Sequence, residues 1–402
     1  MMTVLQLNIL TLNIWGIPYI SKDREVRVKA IGDVLATGEY DLVSLQEVWS
    51  DADYQHLKSR LAKVLPHTHY FYSGVIGSGL CVFSKFPIEK VFYHSWRLNG
   101  YVHRIQHGDW FGGKGVGLAK IRINDQYVNF YTAHLHAEYD RACDDYMTHR
   151  VIQAFDTAQF IESTRSHDCV LQILAGDLNT EPNDLAQRII LTTSRMYDTF
   201  HLTTNDPEFG TNECEKNSYT DKAALVTCPK GKRIDYIFVR PGQHQKIEVN
   251  DYKLPLPKRV PGHDFSYSDH EAVAVTLKLA STTSISDEKR LLENEQQIME
   301  ENKVALSECI RHCDESLREL QNNRKNYSMA AIAMIVILLN MIELQAPYGV
   351  KTVFLVVKIL LTALTMFFIF MGTIWNVIEK HGILSGKLSM ELLLKSIEKV
   401  NS

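Results

Sequence analysis

Six stretches in the first 270 residues carry side chains suited to metal-assisted hydrolysis: Asn13 in Thr11-Leu12-Asn13-Ile14-Trp15-Gly16, Glu47 in Leu45-Gln46-Glu47-Val48-Trp49, His134 and His136 in Thr132-Ala133-His134-Leu135-His136, Asp177 and Asn179 in Gly176-Asp177-Leu178-Asn179, Asp235 in Arg233-Ile234-Asp235-Tyr236, and Asp269 with His270 after Ser268. Most lie at or just past the end of a short apolar run, where open α/β sheets place ligands. Asn13, Glu47 and Asp269 offer hard oxygen donors, the kind Mg²⁺ takes while keeping waters and meeting a substrate phosphate. No cysteine pair or paired-histidine spacing suits zinc. Asp235 falls inside an apolar strand and needs a partner, because an unpaired buried carboxylate is costly. His270 is the natural one. An imidazole held by a carboxylate takes a proton from water near neutral pH, so no side-chain nucleophile is required. Alone, an Asn or Glu after a strand is a cap or turn residue; six such stretches together weaken that reading.

Two-residue spacing sets His134 and His136 on one face, and likewise Asp177 and Asn179. His136 reads equally as a substrate contact or a structural histidine. The segment His107-Gly108-Asp109-Trp110-Phe111-Gly112-Gly113-Lys114-Gly115 adds glycines that let backbone approach an anion, with charge from Lys114. It is not a Walker motif, since no Ser or Thr follows the lysine. A tight turn with an exposed lysine is the competing reading. Trp110 and Phe111 read as a cation–π grip on a ligand cation, as contacts with a membrane surface, or as core aromatics, the commonest outcome.

The elements that must position these groups form an α/β domain. Apolar runs predict strands over Val4–Ile14, Leu42–Leu45, Leu80–Phe83, Val116–Ile123, Tyr127–Thr132, Val170–Ala175, Ile234–Val239 and Ala272–Leu279. Helical spacing appears in Val28, Ile31 and Leu35, in Tyr54, Leu57, Leu61 and Val64, and in Ile152, Phe155 and Gln159. So many strands predict two packed sheets with outer helices. Met1–Ile20 is apolar but lacks a basic start and a cleavage site, so it reads as the first core strand. The 402 residues carry 43 Lys plus Arg against 47 Asp plus Glu, which leaves no broad basic face for nucleic acid. Seven cysteines without close pairs read as free, solvent-facing thiols of a reduced compartment, with a Cys214–Cys228 bridge the weaker alternative.

Beyond Leu279 the composition changes. A Ser/Thr-rich linker leads into a charged helix over Lys289–Gln321, where Leu292, Met299, Leu306, Cys313 and Leu320 recur every seventh residue. Its alternate position is polar at Glu295, Asn302 and Ser316, so a coiled coil, a solvated stalk and a helix lying back on the domain all fit. Tyr327–Gln345 and Thr352–Val377 are each long enough to cross a bilayer, with Ala346–Lys351 between them. Arg324 and Lys325 before, and Lys380 and Lys387 after, place both ends in the cytosol by the positive-inside rule. Glu343 and Lys358 are expected near the short loop. The expected division is 1–280 catalytic, 281–326 linker and amphipathic helix, 327–378 transmembrane hairpin and 379–402 cytosolic tail.

The ordered set Asn13, Glu47, His134, Asp177 with Asn179, Asp235 and Asp269 with His270 resembles the endonuclease/exonuclease/phosphatase superfamily over Leu7–Leu279. Asn13–Tyr19, Ser73–Lys85, His107–Gly115 and Thr132–Tyr139 resemble its membrane-bound, magnesium-dependent neutral sphingomyelinases. The loops around Thr203–Cys228 and the linker helix depart from that pattern. The resemblance implies a four-layered α/β sandwich of DNase I-like type, and hydrolysis of sphingomyelin to ceramide and phosphocholine at a membrane. It implies Glu47 as the main Mg²⁺ ligand and His270 as base held by Asp235. It also implies phosphate contacts from His134 and Asn179, with Asp177 on the nucleophile side. An internal membrane such as the endoplasmic reticulum goes with it, and self-association through the stalk or membrane helices is a further expectation. Rival readings are a choline lysophospholipid phospholipase C, a nuclease, an inositol-phosphate phosphatase and an inactive membrane tether.

Overall fold

The computed structural model describes residues 5–203, 205, 208–281, 285–342, 344 and 349–400. The chain divides into two units, Met1–Ala305 and Leu306–Ser402.

The first unit holds twelve strands among the described residues: β1 (Leu5–Asn13), β2 (Leu42–Gln46), β3 (His67–Tyr70), β4 (Cys81–Ser84), β5 (Ile88–Ser95), β6 (Gly115–Ile123), β7 (Gln126–His134), β8 (Cys169–Asp177), β9 (Tyr197–Asp198), β10 (Asp235–Pro241), β11 (Gln245–Lys253) and β12 (Val273–Ser281). They form two six-stranded sheets, in the orders β11-β12-β1-β2-β4-β3 and β5-β6-β7-β8-β10-β9. The helices α1 (Arg24–Leu35) and α2 (Asp51–Leu61) cover one sheet. The helices α4 (Met147–Ser163) and α5 (Leu185–Ser194), which follow the one-turn α3 (Asp109–Gly112), pack on the other: Gln172 Nε2 of β8 donates to Ile161 O at 3.0 Å and Arg240 Nη1 of β10 to Ser194 O at 2.8 Å.

The alternation of each strand decides what lies between the sheets. Leu7 and Ile9 of β1, Val128 and Phe130 of β7, Leu171, Ile173 and Ala175 of β8, Ile237 and Val239 of β10, and Val273, Val275 and Leu277 of β12 share one buried cluster. Leu10, Leu12 and Ile14 turn the opposite way, into the cluster with α1 and α2. Followed along each strand, the inward series becomes polar. Ser44 Oγ donates to Thr132 Oγ1 (2.7 Å) and lies 2.9 Å from Ala175 O, while Gln46 Nε2 donates to Thr11 Oγ1 at 3.1 Å. The next inward residues are Asn13, His134, Asp177 and, at the start of the antiparallel β10, Asp235. Polar pairing at the end of the apolar core is what lets these groups be buried.

All eight strands read from the sequence are present. The other four, β3, β5, β9 and β11, are the four sheet edges. Two cysteine expectations meet different outcomes. All seven are free, but Cys81, Cys169, Cys309 and Cys313 are buried rather than solvent-facing, because as thiols they pack as small apolar groups.

After the short α6 (Ala224–Thr227) comes α7 (Ile285–Asn340), longer than the predicted helix. Within the first unit its Asn302 is buried, and Thr192 and Thr193 of α5 both donate to Asn302 Oδ1, at 3.2 and 3.0 Å. In the second unit, α8 (Lys351–Phe370), a π-turn over Met371–Trp375 and α9 (Asn376–Val400) run on as one helix. Over Lys351–Lys399, 49 residues, it is long and apolar enough to cross a membrane. Asn376 Nδ2 donates to Leu320 O at 2.8 Å, and Lys387 Nζ lies 3.4 Å from Asp314 Oδ1, so this helix and α7 run antiparallel there. Glu343 and linker residues 282–284 lie outside the described residues.

Candidate active site

The strand ends bring the distant motifs together. Asn13 Nδ2 donates to Glu47 Oε1 at 3.0 Å and to Asp177 Oδ2 at 2.9 Å. His134 Nε2 lies 3.5 Å from Asp177 Oδ2 and 4.0 Å from Glu47 Oε1. His270 Nδ1 is 2.9 Å from Asp235 Oδ2, and its Nε2 is 3.8 Å from Asp177 Oδ2. Register explains the convergence: Asp235 and His134 are the β-partners of Asp177 on either side.

Backbone strain supplies the rest. Glu47 follows β2 at φ +58° and Asn179 follows β8 at φ +45°, both left-handed positions that L-residues rarely hold without compensation. Asn179 therefore reaches the site through a turn rather than strand alternation. Its N–H donates to Asp177 Oδ1 (3.0 Å) and its Nδ2 to Leu135 O (3.0 Å). His136 behaves differently, because β7 stops at His134. It is fully buried, its Nδ1 lies 2.9 Å from Ala137 O, and it stacks on Tyr146 at 3.9 Å, so it does not share the face of His134.

Lys114 is buried, contrary to the exposed-turn reading. Its Nζ sits 2.6 Å from Asp109 Oδ1 and 3.5 Å from Leu135 O, the carbonyl that Asn179 also meets. Asp109 Oδ2 accepts from Tyr139 OH at 2.6 Å and lies 3.5 Å from His136 Nε2. Trp110 is 40% exposed rather than core.

Electrostatics follow from burial. Burial and the neighbouring Asp269 raise the Glu47 carboxyl above its ordinary range, and burial raises Asp269 too. Burial and Asp235 push the Asp177 carboxyl well above its ordinary range. Burial and Lys114 hold His134 well below the usual histidine range, keeping it neutral. Burial also disfavours the His270 imidazolium, but Asp235, Asp177 and Asp269 more than offset it and raise its pKa well above the usual value.

The residues fit a hard cation. Glu47 Oε2 is buried with no hydrogen-bond partner among the described residues, and its carboxylate faces the like charge of Asp269. Asn13 presents its amide nitrogen to the carboxylates while its Oδ1 accepts from Trp15 N at 2.9 Å, so ligation through oxygen requires the amide to turn over. Asp177, Asp235 and His270 form a second group whose ligand atoms lie within 4.8 Å of one another. A cation there would have to displace the His270–Asp235 hydrogen bond, which favours the Glu47 side.

Two contributors escaped the sequence reading. Ser268 Oγ donates to Asn13 O (2.7 Å) and contacts Asp269 Oδ1 (3.2 Å), tying the first and last motifs. Arg27, wholly buried, donates to Ile14 O (2.7 Å), Trp15 O (2.8 Å) and Tyr267 O (3.1 Å), clamping the loops around Asn13 and Asp269. Ser268 stood within a named motif. Only its place beside Val28 in an apolar helix stripe marked Arg27.

Residues 10–270 match the Endonuclease/Exonuclease/phosphatase family. The chain is 47% identical over 442 residues to a Drosophila melanogaster protein named "Putative neutral sphingomyelinase", covering 99% of each. It is 43% identical over 276 residues to Mus musculus "Sphingomyelin phosphodiesterase 2", covering 68% of this chain and 65% of that one. A beta toxin variant from Staphylococcus aureus with bound magnesium ions has the same fold, with TM-score 0.51 and 18% identity over 69% of this chain and 100% of the toxin. A two-sheet DNase I-like core with an acid–imidazole cluster at its inward strand ends is the frame of a hydrolase class. The chain belongs to the endonuclease/exonuclease/phosphatase family and, within it, to the neutral sphingomyelinases.

Proposed function

We propose that the chain is a phosphodiesterase of phospholipase C type that hydrolyses sphingomyelin to ceramide and phosphocholine, by attack of water on phosphorus. The observation that carries this is the buried His270–Asp235 pair, 2.9 Å apart, with Nε2 directed at the cluster. Asp235 fixes the proton on Nδ1; in the neutral ring, which the neighbouring carboxylates disfavour unless a bound cation offsets their charge, Nε2 accepts one from water. The imidazolium that results is the form the surrounding carboxylates stabilise. Asp177 and Asn179 orient the water side, while His134, Asn179 and Lys114 meet the phosphate. His136 supports this set from behind, through Asp109. Glu47, with Asn13 and Asp269, would hold Mg²⁺, which when bound would supply positive charge to offset the negative charge developing on the phosphate. Oxygen donors without thiolate support that ion, as does the magnesium in the beta toxin structure.

The apolar stretch Thr352–Val377 of the long helix and the apolar end of α7 from Tyr327 are read as a transmembrane hairpin over 327–378, with exposed Ile332, Ile335 and Leu339 toward lipid. Flanking lysines and arginines set both ends, and the catalytic unit, in the cytosol. An internal membrane such as the endoplasmic reticulum is the proposed home. The proposed division keeps 1–280 as the catalytic part. The test is a panel assay of the purified chain with Mg²⁺ on sphingomyelin, a choline lysophospholipid, an inositol polyphosphate and abasic DNA. Phosphocholine release from sphingomyelin is expected; cleavage of DNA alone overturns the reading.

A further inference from the structure

One end of the catalytic unit exposes large apolar side chains around the site. β1, β2, β7 and β8 finish at the cluster, and β4, β6 and β10 run antiparallel to neighbours among them, so they begin at that end. The loops after the first group and before the second therefore surround the site. Tyr19 and Ile20 follow β1, Val75 and Ile76 precede β4, and Ile105 and Trp110 precede β6. All six are exposed, Val75 by 81% and Ile20 by 69%.

These loops are built into one rim. Val75 N and Ile76 N both donate to Phe111 O, at 2.8 and 3.3 Å, which fastens the β3–β4 loop to the β5–β6 loop. Gly74 and Gly113 stand at that junction with φ +57° and +54°. A Cβ at Gly74 would lie 2.5 Å from Phe111 O, and one at Gly113 would lie 2.6 Å from Gly74 N, so the approach requires glycine. On the other side Tyr72 OH donates to Asp51 Oδ1 at 3.0 Å, and the adjacent Ser50 lines a hollow of about 800 Å³ with Pro18 and Tyr19. The rim thus runs from Tyr19 to Trp110. A single exposed valine needs no explanation, but six large apolar side chains exposed on three loops at the end of the sheets that holds the site mark an interaction surface.

We propose that this rim is the face by which the catalytic unit docks onto the bilayer that carries its substrate, with Tyr19, Ile20, Val75 and Ile76 entering the headgroup layer of zwitterionic lipid. The inference rests on the sphingomyelinase reading. A scissile phosphate at headgroup level brings the lipid surface to the end of the sheets where Asn13 and Asp177 stand. Apolar side chains at that boundary gain by leaving water, and tryptophan favours it. The opposite end presents the exposed polar turn Asn124-Asp125 between β6 and β7.

The test uses the full chain reconstituted in phosphatidylcholine vesicles without sphingomyelin, with Cys143→Ser removing the exposed thiol. An environment-sensitive fluorophore is placed in turn at Val75→Cys, Ile20→Cys and Asp125→Cys. Spin-labelled lipid is expected to quench the first two at least about twofold more than the third. Equal quenching at all three overturns the proposal. In parallel, Val75→Asn with Ile76→Asn is expected to lower hydrolysis of bilayer sphingomyelin by about tenfold while leaving a soluble short-chain analogue within about twofold. Equal loss on both substrates also overturns it. If the unaltered chain releases no phosphocholine from either substrate, the sphingomyelinase reading fails, and the quenching result still decides the docking.

Discussion

His270 Nδ1 and Asp235 Oδ2 lie 2.9 Å apart in the buried interior although 35 residues separate them in the chain. One residue opens β10 and the other precedes β12, and both strands direct their inward faces to the same gap between the sheets. If the pair acts as a unit, Asp235→Asn lowers kcat by about 10²–10⁴-fold with little change in KM, because the imidazole loses its tautomer and orientation. His270→Ala should be at least as severe, and the double variant no worse than His270→Ala. Initial rates of phosphocholine release, with circular dichroism as a check on folding, decide this. Multiplying losses in the double variant would show that the two residues act separately.

Glu47 and Asp269 are two carboxylates that burial already disfavours and that repel each other. Glu47→Gln should therefore stabilise the metal-free chain, by about 1–3 kcal/mol. The unaltered chain should gain about 2.7 kcal/mol when Mg²⁺ is present at a hundred times its dissociation constant, and the variant should gain little. Thermal unfolding with and without Mg²⁺ reads both effects. A variant that keeps the full magnesium gain would exclude Glu47 as a ligand.

Asp109 and Lys114 form a buried ion pair, so removing one partner strands the other. Lys114→Met should cost about 3–5 kcal/mol, and adding Asp109→Asn should recover much of it. The pH dependence has a definite sign. Burial alone would raise the Asp109 carboxyl, but Lys114 and His136 bring it far below its ordinary range. A depressed carboxyl pKa adds stability that is present above the unfolded value and lost as pH falls through the folded one. The advantage of the unaltered chain over the double variant should thus shrink below about pH 4. A gap that stays constant with pH would show that Asp109 is not held ionised.

Anchoring raises the concentration of enzyme at a surface without any new contact in the site. Removing everything after Ala305, where the first unit ends, should spare turnover of detergent-dispersed substrate and reduce turnover of bilayer sphingomyelin by about 10- to 100-fold. In sealed vesicles, added protease should reach the catalytic unit when it faces the cytosolic side. Equal losses on both substrates would remove the anchoring role.

The sequence alone determined the period-two series whose inward members run from leucine and isoleucine to Asn13, His134, Asp177 and Asp235, and it marked all eight interior strands. Those strands bury most of their residues and carry apolar side chains through most of their length. The four edge strands stayed hidden because each faces water along one side and carries polar residues: His67–Tyr70 reads His-Thr-His-Tyr, and Ile88–Ser95 is mostly exposed. Only the tertiary structure decided which inward residues meet. It separated His136 from His134 where the strand ended, delivered Asn179 by a left-handed turn, buried Lys114 against Asp109, and set Arg27 beneath the loops of Asn13 and Asp269. Strand period is a property of neighbours along the chain and can be read locally. The pairing of a carboxylate with a lysine or histidine depends on which strand lies beside which, and that choice is made only when the two sheets close on a common core.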